Sequence, residues 1–419
     1  MRLSILAVAK ALQSQNKKKL SPLLFSFSTA SRSFSQLSSQ SQRPSFGIAF
    51  DIDGVVLLGN TPIGGSNKAL KRLYQHSGDL RIPYIFLTNG GGFRESKRAT
   101  ELSKLLGVNI LPCQVVQGHS PFKQLFNRFE NEFIVAVGKG EPAAVMADYG
   151  FKNVLSIDEY ASYFDGIDPL AQYKKWNIKH AASENRTFKE MAPTICSQRV
   201  QAAFIVSDSV DWSRDIQVDL GVLAFIIQPY TFPAYGSYCS CGKFIILPEV
   251  LCDILRTGGL PGRETGHQPH LYFANDDLKY QATFPSERLG MGAFRIALES
   301  IFNRIHPNPL EYTSFGKPNP LVFQNAELAL KQLVLSLCPN AHVVNHATSE
   351  SHHFRTLYMI GDNPSVDIKG ARQAGRPWFS ILTRTGVFKG KENSSEFPAD
   401  LVVDTVEEAV EYILRKESI

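Results

Sequence analysis

The sequence predicts an α/β protein with a Rossmann-like, doubly wound parallel sheet and a second, inserted α/β domain. Two observations indicate this fold class. An apolar strand ending at Asp51, a helical segment and a second apolar strand ending at Thr88 follow one another, which is the order of a βαβ unit. From Asn89 to the next polar motif at Lys317 the chain then runs 228 residues, far more than a single connection needs. We therefore expect another domain in that interval.

The first strand, residues 47–50, ends in two carboxylates, Asp51 and Asp53, and Gly54 follows them. In a parallel α/β sheet, ligands bind at the carboxyl ends of the strands. Side chains two residues apart on a strand point to the same side, so the two carboxylates repel each other unless a cation or a shared proton intervenes. This pattern predicts a site for a hard cation, most simply Mg²⁺. An ordinary turn rich in Asp and Gly is the alternative.

The second strand ends in Thr88 and Asn89, and three glycines follow at residues 90–92. A hydroxyl and a glycine-rich backbone at a strand end can hold phosphate oxygens. A plain loop is the alternative interpretation. The next segment, residues 95–106, has apolar residues at helical spacing and closes at Gly107, so it predicts a helix behind the second strand.

Two later motifs add a cation and two more carboxylates. Lys317 stands between Gly316 and Pro318, which suits an ordered cation that stabilises phosphoryl charge, although a single loop lysine is more often solvated. A third strand, residues 356–361, ends at Asp362, and Asp367 follows where a helix begins. These two carboxylates would complete an oxygen-rich metal site.

Composition and charge bound the possible classes. The chain has 419 residues, 43% hydrophobic and 20% charged, which is a globular composition with enough length for two domains. The formal charge is +5, but seven of the 44 basic residues lie before residue 44. The remaining 37 face 39 acidic residues. A basic surface for nucleic acid is therefore not predicted.

Residues 1–43 have the composition of a targeting segment. They are rich in serine and apolar residues, carry scattered cations and contain no acid. Arg32 lies three residues before Ser35, a spacing typical of mitochondrial presequence cleavage. We expect a mitochondrial location, in the matrix, with a plastid as the alternative address and a disordered tail as the other interpretation. No later apolar run approaches the roughly 20 residues of a transmembrane helix, and in a reducing matrix the six cysteines are predicted to be thiols.

The four motifs, in this order, resemble those of the haloacid dehalogenase (HAD) superfamily of phosphohydrolases. The matching residues are Asp51-x-Asp53-Gly54, Thr88-Asn89, Lys317 and the Gly-Asp-x₄-Asp pattern at residues 361–367. The sequence around these motifs is similar to that of class IIA members, whose large C2-type cap domain lies between the second and third motifs. Within that class, residues 207–212, 273–278 and 362–367 are similar to the mitochondrial cat-eye-syndrome critical region hydrolase-like group.

The resemblance implies a Mg²⁺-dependent phosphatase that acts on a small phosphorylated metabolite. Asp51 would attack phosphorus and form an aspartyl-phosphate, a known covalent route for carboxylates. Asp53 would protonate the leaving alkoxide and then activate water. Thr88 and Lys317 complete the catalytic set. Related ATPases carry Thr at the position of Asp53, and the carbon–halogen hydrolases of the superfamily do not need this residue, so Asp53 favours phosphoester hydrolysis.

The resemblance also assigns the ligands. The phosphoryl oxygens would contact Thr88, Asn89 and Lys317. The metal site would contain Asp51, Asp53 through its main-chain carbonyl, Asp362 and, nearby, Asp367. Phosphotransfer to another alcohol and a non-catalytic binding protein on the same fold stay open as alternatives, and the sequence indicates neither the substrate nor an oligomeric state.

We expect four segments: the targeting segment 1–43, the first part of the HAD core at 44–119, the inserted cap at 120–288 and the second part of the core at 289–419. Cap strands are predicted at residues 132–137, 200–206, 222–228 and 270–273, and an exposed histidine-containing insertion at 340–355. A zinc site is a weak alternative because Cys-x-Cys is not the usual ligand spacing. Its candidate ligands are Cys239, Cys241, Cys252, His267 and His270.

Overall fold

The computed structural model describes residues 45–164, 195, 197–216, 250–261, 266–284, 286–337 and 354–419. Within these residues the chain forms two large parallel sheets and two short hairpins. The strands, in chain order, are β1 Phe46–Phe50, β2 Leu57–Leu58, β3 Thr61–Pro62, β4 Tyr84–Leu87, β5 Val115–Val116, β6 Phe133–Val137, β7 Asn153–Ser156, β8 Ala202–Ile205, β9 His270–Phe273, β10 Lys279–Tyr280, β11 Arg288–Leu289, β12 Thr313–Ser314, β13 Thr356–Gly361, β14 Trp378–Thr383 and β15 Leu401–Val403.

An α-helix lies between most consecutive strands of the two parallel sheets, as expected for parallel connections. They are α1 Ser66–Lys71, α2 Glu95–Leu106, α3 Phe126–Phe129, α4 Pro142–Asp148, α5 Ile157–Ser162, α6 Trp212–Ile216, α7 Val250–Arg256, α8 Met291–Ile305, α9 Pro320–Leu337, α10 Lys369–Ala374 and α11 Val406–Lys416. Two 3₁₀ segments, Pro112–Gln114 and Ser120–Leu125, and a π-helical turn at Pro364–Ile368 complete the set.

The first sheet has the order β15-β14-β13-β1-β4-β5, and all of its pairings are parallel. Its central strand β1 is buried along its whole length, as an apolar strand covered on both faces should be. On one face it packs against α1, α2 and α11, and on the other against α9 and α10. This arrangement confirms the predicted doubly wound α/β fold.

The register of this sheet brings the predicted site residues to one edge. Phe50 in β1 pairs with Ile360 in β13, and the Asp51 N–H donates to the Ile360 carbonyl at 2.9 Å. On the other side Phe50 pairs with Phe86, near the end of β4. Thus Asp51, Thr88 and Asp362 leave three neighbouring strands at the same, carboxyl, edge.

The second sheet has the order β12-β9-β8-β6-β7 and is also parallel. The predicted strands at 132–137, 200–206 and 270–273 correspond to β6, β8 and β9. Apolar side chains from this sheet and from the helices that cover it form a core of their own. That core includes Phe122, Val135, Phe204 and, on α7, Ile254. A separate sheet with a separate core supports the proposal of an inserted domain.

One predicted boundary is wrong. The prediction places residues 289–314 in the second part of the first sheet's domain, but α8 and β12 belong with the second sheet. The apolar face of α8, with Phe294, Leu298 and Phe302, is buried in that second core, and β12 pairs with β9. The return to the first sheet therefore lies after Ser314.

Along its described residues the chain crosses between the two sheets twice, after β5 and after β12. Both crossings pass close to the carbonyl of Ala274: a Cβ added to Gly118 would lie 2.9 Å from this oxygen, and one added to Gly316 would lie 2.7 Å from it. Side chains at these two positions would push the crossings away from the end of β9.

Some predictions lie outside the described residues: the targeting segment, the strand at 222–228, most of the insertion at 340–355, and Cys239 and Cys241 of the zinc alternative. Within the described ranges, none of the helices has both the length and the apolar character that a membrane crossing requires.

Candidate active site

Three carboxylates meet at the carboxyl edge of the first sheet. Asp51 follows β1, Asp362 follows β13, and Asp367 lies in the π-helical turn behind it. Oxygen atoms of all three lie within 4.8 Å of one another, and the three residues are at most 9% exposed. The strand ends fix the first two, while the turn brings the third back towards them.

Lys317 is buried among these carboxylates. Its Nζ donates to Asp51 Oδ1 at 2.8 Å and to Asp367 Oδ1 at 2.7 Å. Burial lowers the pKa of Lys317, but the two carboxylates outweigh it and hold the pKa above its usual range. The lysine is therefore a fixed positive charge at the centre of the site.

One lysine does not neutralise the cluster. Burial raises the pKa of Asp51 to about 7, even though Lys317 opposes this shift. Burial, together with the charges of Asp367 and Asp51, also raises the pKa of Asp362 well above its ordinary value. A further cation would stabilise the ionised form of these buried carboxylates. An all-oxygen donor set suits a hard divalent ion.

The backbone leaves room around Asp362. A Cβ added to Gly54 would lie 2.5 Å from Asp362 Oδ2, and one on Gly386 would overlap the same oxygen. The N–H of Val387 donates to this oxygen at 2.6 Å and orients the carboxylate. The donor set, its charge and the space kept free by these two glycines fit Mg²⁺.

Asp53 and Thr88 line the same cleft as Asp51. Burial raises the pKa of Asp53. A Cβ on Gly90 would contact Asp53 Oδ2 and Thr88 Oγ1 at 3.4 and 3.3 Å, so the two side chains face the same glycine. The Gly90 N–H donates to Thr88 Oγ1 at 3.0 Å, which leaves the hydroxyl hydrogen available as a donor. The cleft therefore presents a second carboxyl group and a hydroxyl donor together with Asp51.

Comparison with known proteins matches this layout. A family described as haloacid dehalogenase-like hydrolase matches residues 48–152, and a second HAD-hydrolase-like family matches residues 314–409. A mitochondrial hydrolase of Saccharomyces cerevisiae is 29% identical over 378 residues, which are 88% of this chain and 95% of the relative. The chain belongs to the haloacid dehalogenase-like hydrolases.

Two further comparisons describe the extent of this likeness. A Schizosaccharomyces pombe fusion of a CMP-forming cardiolipin synthase with a mitochondrial hydrolase is 31% identical over 371 residues; these are 88% of this HAD chain but 53% of the fusion, so the chain spans about half of that relative. A possible sugar phosphatase of the HAD superfamily from Cytophaga hutchinsonii has a TM-score of 0.51 at 16% identity, over 87% of this chain and 94% of the other. The latter likeness shows a shared fold.

In this HAD chain the side chain of Asn89 donates two hydrogen bonds and accepts one. Its Nδ2 donates to Asp277 Oδ1 and to the Lys317 carbonyl, both at 2.9 Å, and its Oδ1 accepts from the Lys317 N–H at 2.8 Å. An amide has two donor hydrogens, and both are used here. The predicted phosphate contact of Asn89 therefore does not come from its side chain in this arrangement, which instead holds the backbone of Lys317.

Both carboxylate oxygens of Asp367 also accept hydrogen bonds. Its Oδ1 accepts from Lys317, and its Oδ2 accepts from the N–H groups of Asp362 and Asn363 at 3.2 and 3.0 Å. The residue lies within reach of the predicted metal site. Its contacts indicate that it orients Lys317 and the end of β13 as well.

Sequence reasoning missed the residues that the second sheet contributes to the same cleft. Loops after β6, β8 and β9 line it opposite the carboxylates. The residues that these loops and the adjoining β10 contribute are Lys139, Ser207, Asp208, Asn275, Asp277, Lys279 and Tyr280. Residues 207–212 and 273–278 did carry the resemblance to the mitochondrial group, but their pattern alone gives no chemical role.

Lys139 and Asp208 form an ion pair at the rim of this cleft, with Nζ 2.8 Å from Oδ2. The loop that carries Lys139 touches the glycine loop of the first sheet, because the Glu141 N–H donates to the Gly92 carbonyl at 2.7 Å. Gly92 has a φ of 99°, and a Cβ there would overlap the Lys139 carbonyl. Only glycine permits this backbone contact between the two sheets.

Proposed function

We propose that this hydrolase is a Mg²⁺-dependent phosphatase, a phosphoric monoester hydrolase, that uses Asp51 to form an aspartyl-phosphate. The observation that carries the proposal is the buried contact of Lys317 with Asp51 and Asp367 beside Asp362. This arrangement combines a nucleophile, a fixed cation and an oxygen-rich metal site. The phosphatase name of a HAD relative with the same fold is consistent with it.

In the first step an oxygen of Asp51 attacks phosphorus, and the bond from phosphorus to the ester oxygen breaks. Lys317 holds Asp51 Oδ1 and so fixes the direction of the carboxylate. Its charge also opposes the negative charge on the transferring phosphoryl group, as does a hydrogen bond from Thr88. Lys317 and Thr88 therefore act through their position and charge and form no covalent bond themselves.

Asp53 is the proposed general acid. Because burial raises its pKa, a larger fraction of its carboxyl group is protonated near neutral pH than in water. It would give this proton to the leaving alkoxide. The resulting carboxylate would then take a proton from the water that hydrolyses the aspartyl-phosphate.

The metal would be held by Asp51, Asp362 and the main-chain carbonyl of Asp53, with Asp367 beside them. When bound, Mg²⁺ supplies positive charge that offsets the carboxylates and the phosphoryl oxygens. The second sheet closes the other side of the cleft, so the group attached to the phosphate would contact residues such as Asp208 and Tyr280. We propose that this sheet is the cap domain that selects the substrate.

The test is steady-state hydrolysis of a panel of phosphoric monoesters across a Mg²⁺ series. The panel contains p-nitrophenyl phosphate, alkyl and sugar phosphates, and CMP. CMP is included because the fission-yeast relative is fused to a CMP-forming synthase, and CMP is itself a phosphoric monoester. Asp51→Asn, which nearly keeps the shape of the side chain, should abolish turnover and the hydroxylamine-labile phosphoenzyme.

Three results would contradict the proposal. A wild-type protein that binds phosphate esters without hydrolysing any of them would favour a non-catalytic binding protein. Transfer of phosphate to an added alcohol in preference to water would favour a phosphotransferase. Full activity of Asp51→Asn would require another nucleophile. The exposed Asp404, in an ion pair with Arg384, offers Asp404→Asn as a matched control that should stay active.

The names of both curated relatives support a mitochondrial location for this hydrolase. We propose the matrix as the compartment. A reporter fused to residues 1–43 should enter mitochondria and be protected from protease added outside the inner membrane, whereas plastid or cytosolic fluorescence would contradict the proposal.

A further inference from the structure

Asp277 connects the second sheet with the catalytic lysine. It lies in the loop after β9, and its Oδ1 accepts a hydrogen bond from Asn89 Nδ2 at 2.9 Å across 188 residues of sequence. The same amide holds both backbone groups of Lys317, its N–H and its carbonyl. From this chain of contacts we propose that Asp277 is a positioning residue, which fixes Lys317 against Asp51 by way of Asn89. The inference rests on the proposed phosphatase function.

The loop that carries Asp277 is itself fixed. The Asp277 N–H donates to Asn275 Oδ1 at 3.1 Å, and the Asp277 carbonyl accepts from the Gly292 N–H at the start of α8, at 2.9 Å. Asn275 Nδ2 in turn donates to the Asn89 carbonyl at 2.9 Å. The second sheet therefore holds Asn89 by its backbone and by its side chain.

The contact with Asn89 is compatible with both protonation states of Asp277. A hydrogen bond to a carboxylate is shorter and stronger than one to a neutral acceptor. Burial raises the pKa of Asp277 to about 7, while its contact with Asn89 opposes the shift. Either protonation state of the carboxyl group leaves an oxygen that accepts from Asn89, so the positioning role does not depend on ionisation.

This arrangement couples the second sheet to the chemistry. Displacement of the β9 loop from the first sheet would remove the acceptor for one Asn89 hydrogen and release the amide that holds Lys317. A shift of about 1 Å at a reacting group can cost about 10²-fold in rate. The complete site would then form only when the second sheet is seated, as expected for a domain that gates substrate access.

The test compares Asp277→Ala and Asp277→Asn with the neighbouring Asp276→Ala. Asp276 forms an ion pair with Arg295 and has no contact with Asn89 among those that the structure describes, so its variant is the matched control. We expect Asp277→Ala to lower kcat about 10–100-fold. The loss should be the same for p-nitrophenyl phosphate and for an alkyl phosphate, because the effect passes through Lys317. Asp277→Asn, which keeps an acceptor oxygen, should recover most of the activity.

A double-variant cycle tests the route. If Asp277 acts through Asn89, then Asn89→Ala with Asp277→Ala should be no slower than Asn89→Ala alone. Losses that multiply, or a loss confined to one ester, would overturn the proposal, because Asp277 would then act separately or contact the leaving group. Wild-type kcat in Asp277→Ala would also overturn it. If Asp277→Ala does not fold, an Asp277→Asn variant as slow as Asn89→Ala overturns it. An inactive wild type would instead reject the proposed function itself.

Discussion

The ammonium group of Lys317 lies 2.8 Å from the carboxylate of Asp51, although 266 residues separate them in the sequence. The contact is buried, and Asp367 completes it from a third segment. Removal of one member of such a group leaves uncompensated charge in a medium where water cannot replace it. The stability of the fold and the proposed chemistry thus depend on the same atoms.

Lys317→Met should lower the free energy of unfolding by about 3–5 kcal/mol at pH 8, because Asp51 and Asp367 lose their shared cation. The loss should be smaller at pH 5, where Asp51, whose pKa is raised to about 7, can take up a proton instead. Urea unfolding at both pH values measures this. Lys152→Met, which removes an exposed lysine paired with Glu130, should change the free energy by less than about 1 kcal/mol. Equal losses for the two lysines would contradict the argument.

Asp53→Asn should separate substrates by their leaving groups. The variant keeps Asp51 as nucleophile but has no acid to protonate a poor leaving group. Hydrolysis of an alkyl phosphate should therefore fall about 10²–10⁴-fold more than hydrolysis of p-nitrophenyl phosphate. Steady-state kcat values for the two esters give the comparison. An equal loss for both would mean that Asp53 serves only the metal or the fold.

Asp362→Asn should weaken the stabilisation by Mg²⁺ without lowering the stability of the metal-free protein. Its pKa is raised in the folded protein, so ionised Asp362 opposes folding at neutral pH and the neutral amide should not lower stability without metal. The half-saturating Mg²⁺ concentration should rise by at least the roughly 10–100-fold that loss of a supporting contact costs a metal site. Thermal melts across a Mg²⁺ series provide both values. Unchanged Mg²⁺ stabilisation would place the metal elsewhere.

His119 should make the protein acid-sensitive. It is fully buried, with Nδ1 2.7 Å from the Tyr149 hydroxyl, and burial lowers its pKa from 6.5 to about 4. The unfolded chain binds the proton more readily between these values. The contribution of neutral His119 to the free energy of unfolding is therefore complete above pH 6.5 and declines as the pH falls to about 4. At 1.36 kcal/mol per pKa unit, the full loss in the free energy of unfolding is about 3 kcal/mol.

Chemical unfolding at pH 7, 6 and 5 measures this dependence. His119→Asn should be less stable than wild type at pH 7, because the buried ring is lost, but the difference between the two proteins should shrink as the pH falls. His76→Asn, at an exposed position, serves as the control for replacement of a histidine that is not buried. A difference that stays constant from pH 7 to pH 5 would show that His119 does not titrate in this range.

The sequence predicts the positions of Asp51, Thr88 and Asp362 because each follows an apolar strand, and parallel strands of one sheet end at one edge. It does not predict the placement of α8, because the apolar face of this helix would suit either sheet and its neighbours are far away in the sequence. The roles of Asn89 and Asp277 depend on a hydrogen bond across 188 residues. No local periodicity reports such a contact.

The two chain crossings, which both pass the Ala274 carbonyl, have a mechanical consequence. Two neighbouring attachments define an axis, and a body held along an axis can rotate about it but has little freedom to slide or twist. If the second sheet moves as one domain, it would rotate about this single hinge line. Asn89 and Lys317 lie beside this line, so a rotation that opens the cleft would also move Asp277 relative to Asn89. Opening of the entrance and loss of the Asp277–Asn89 contact would then be one and the same motion.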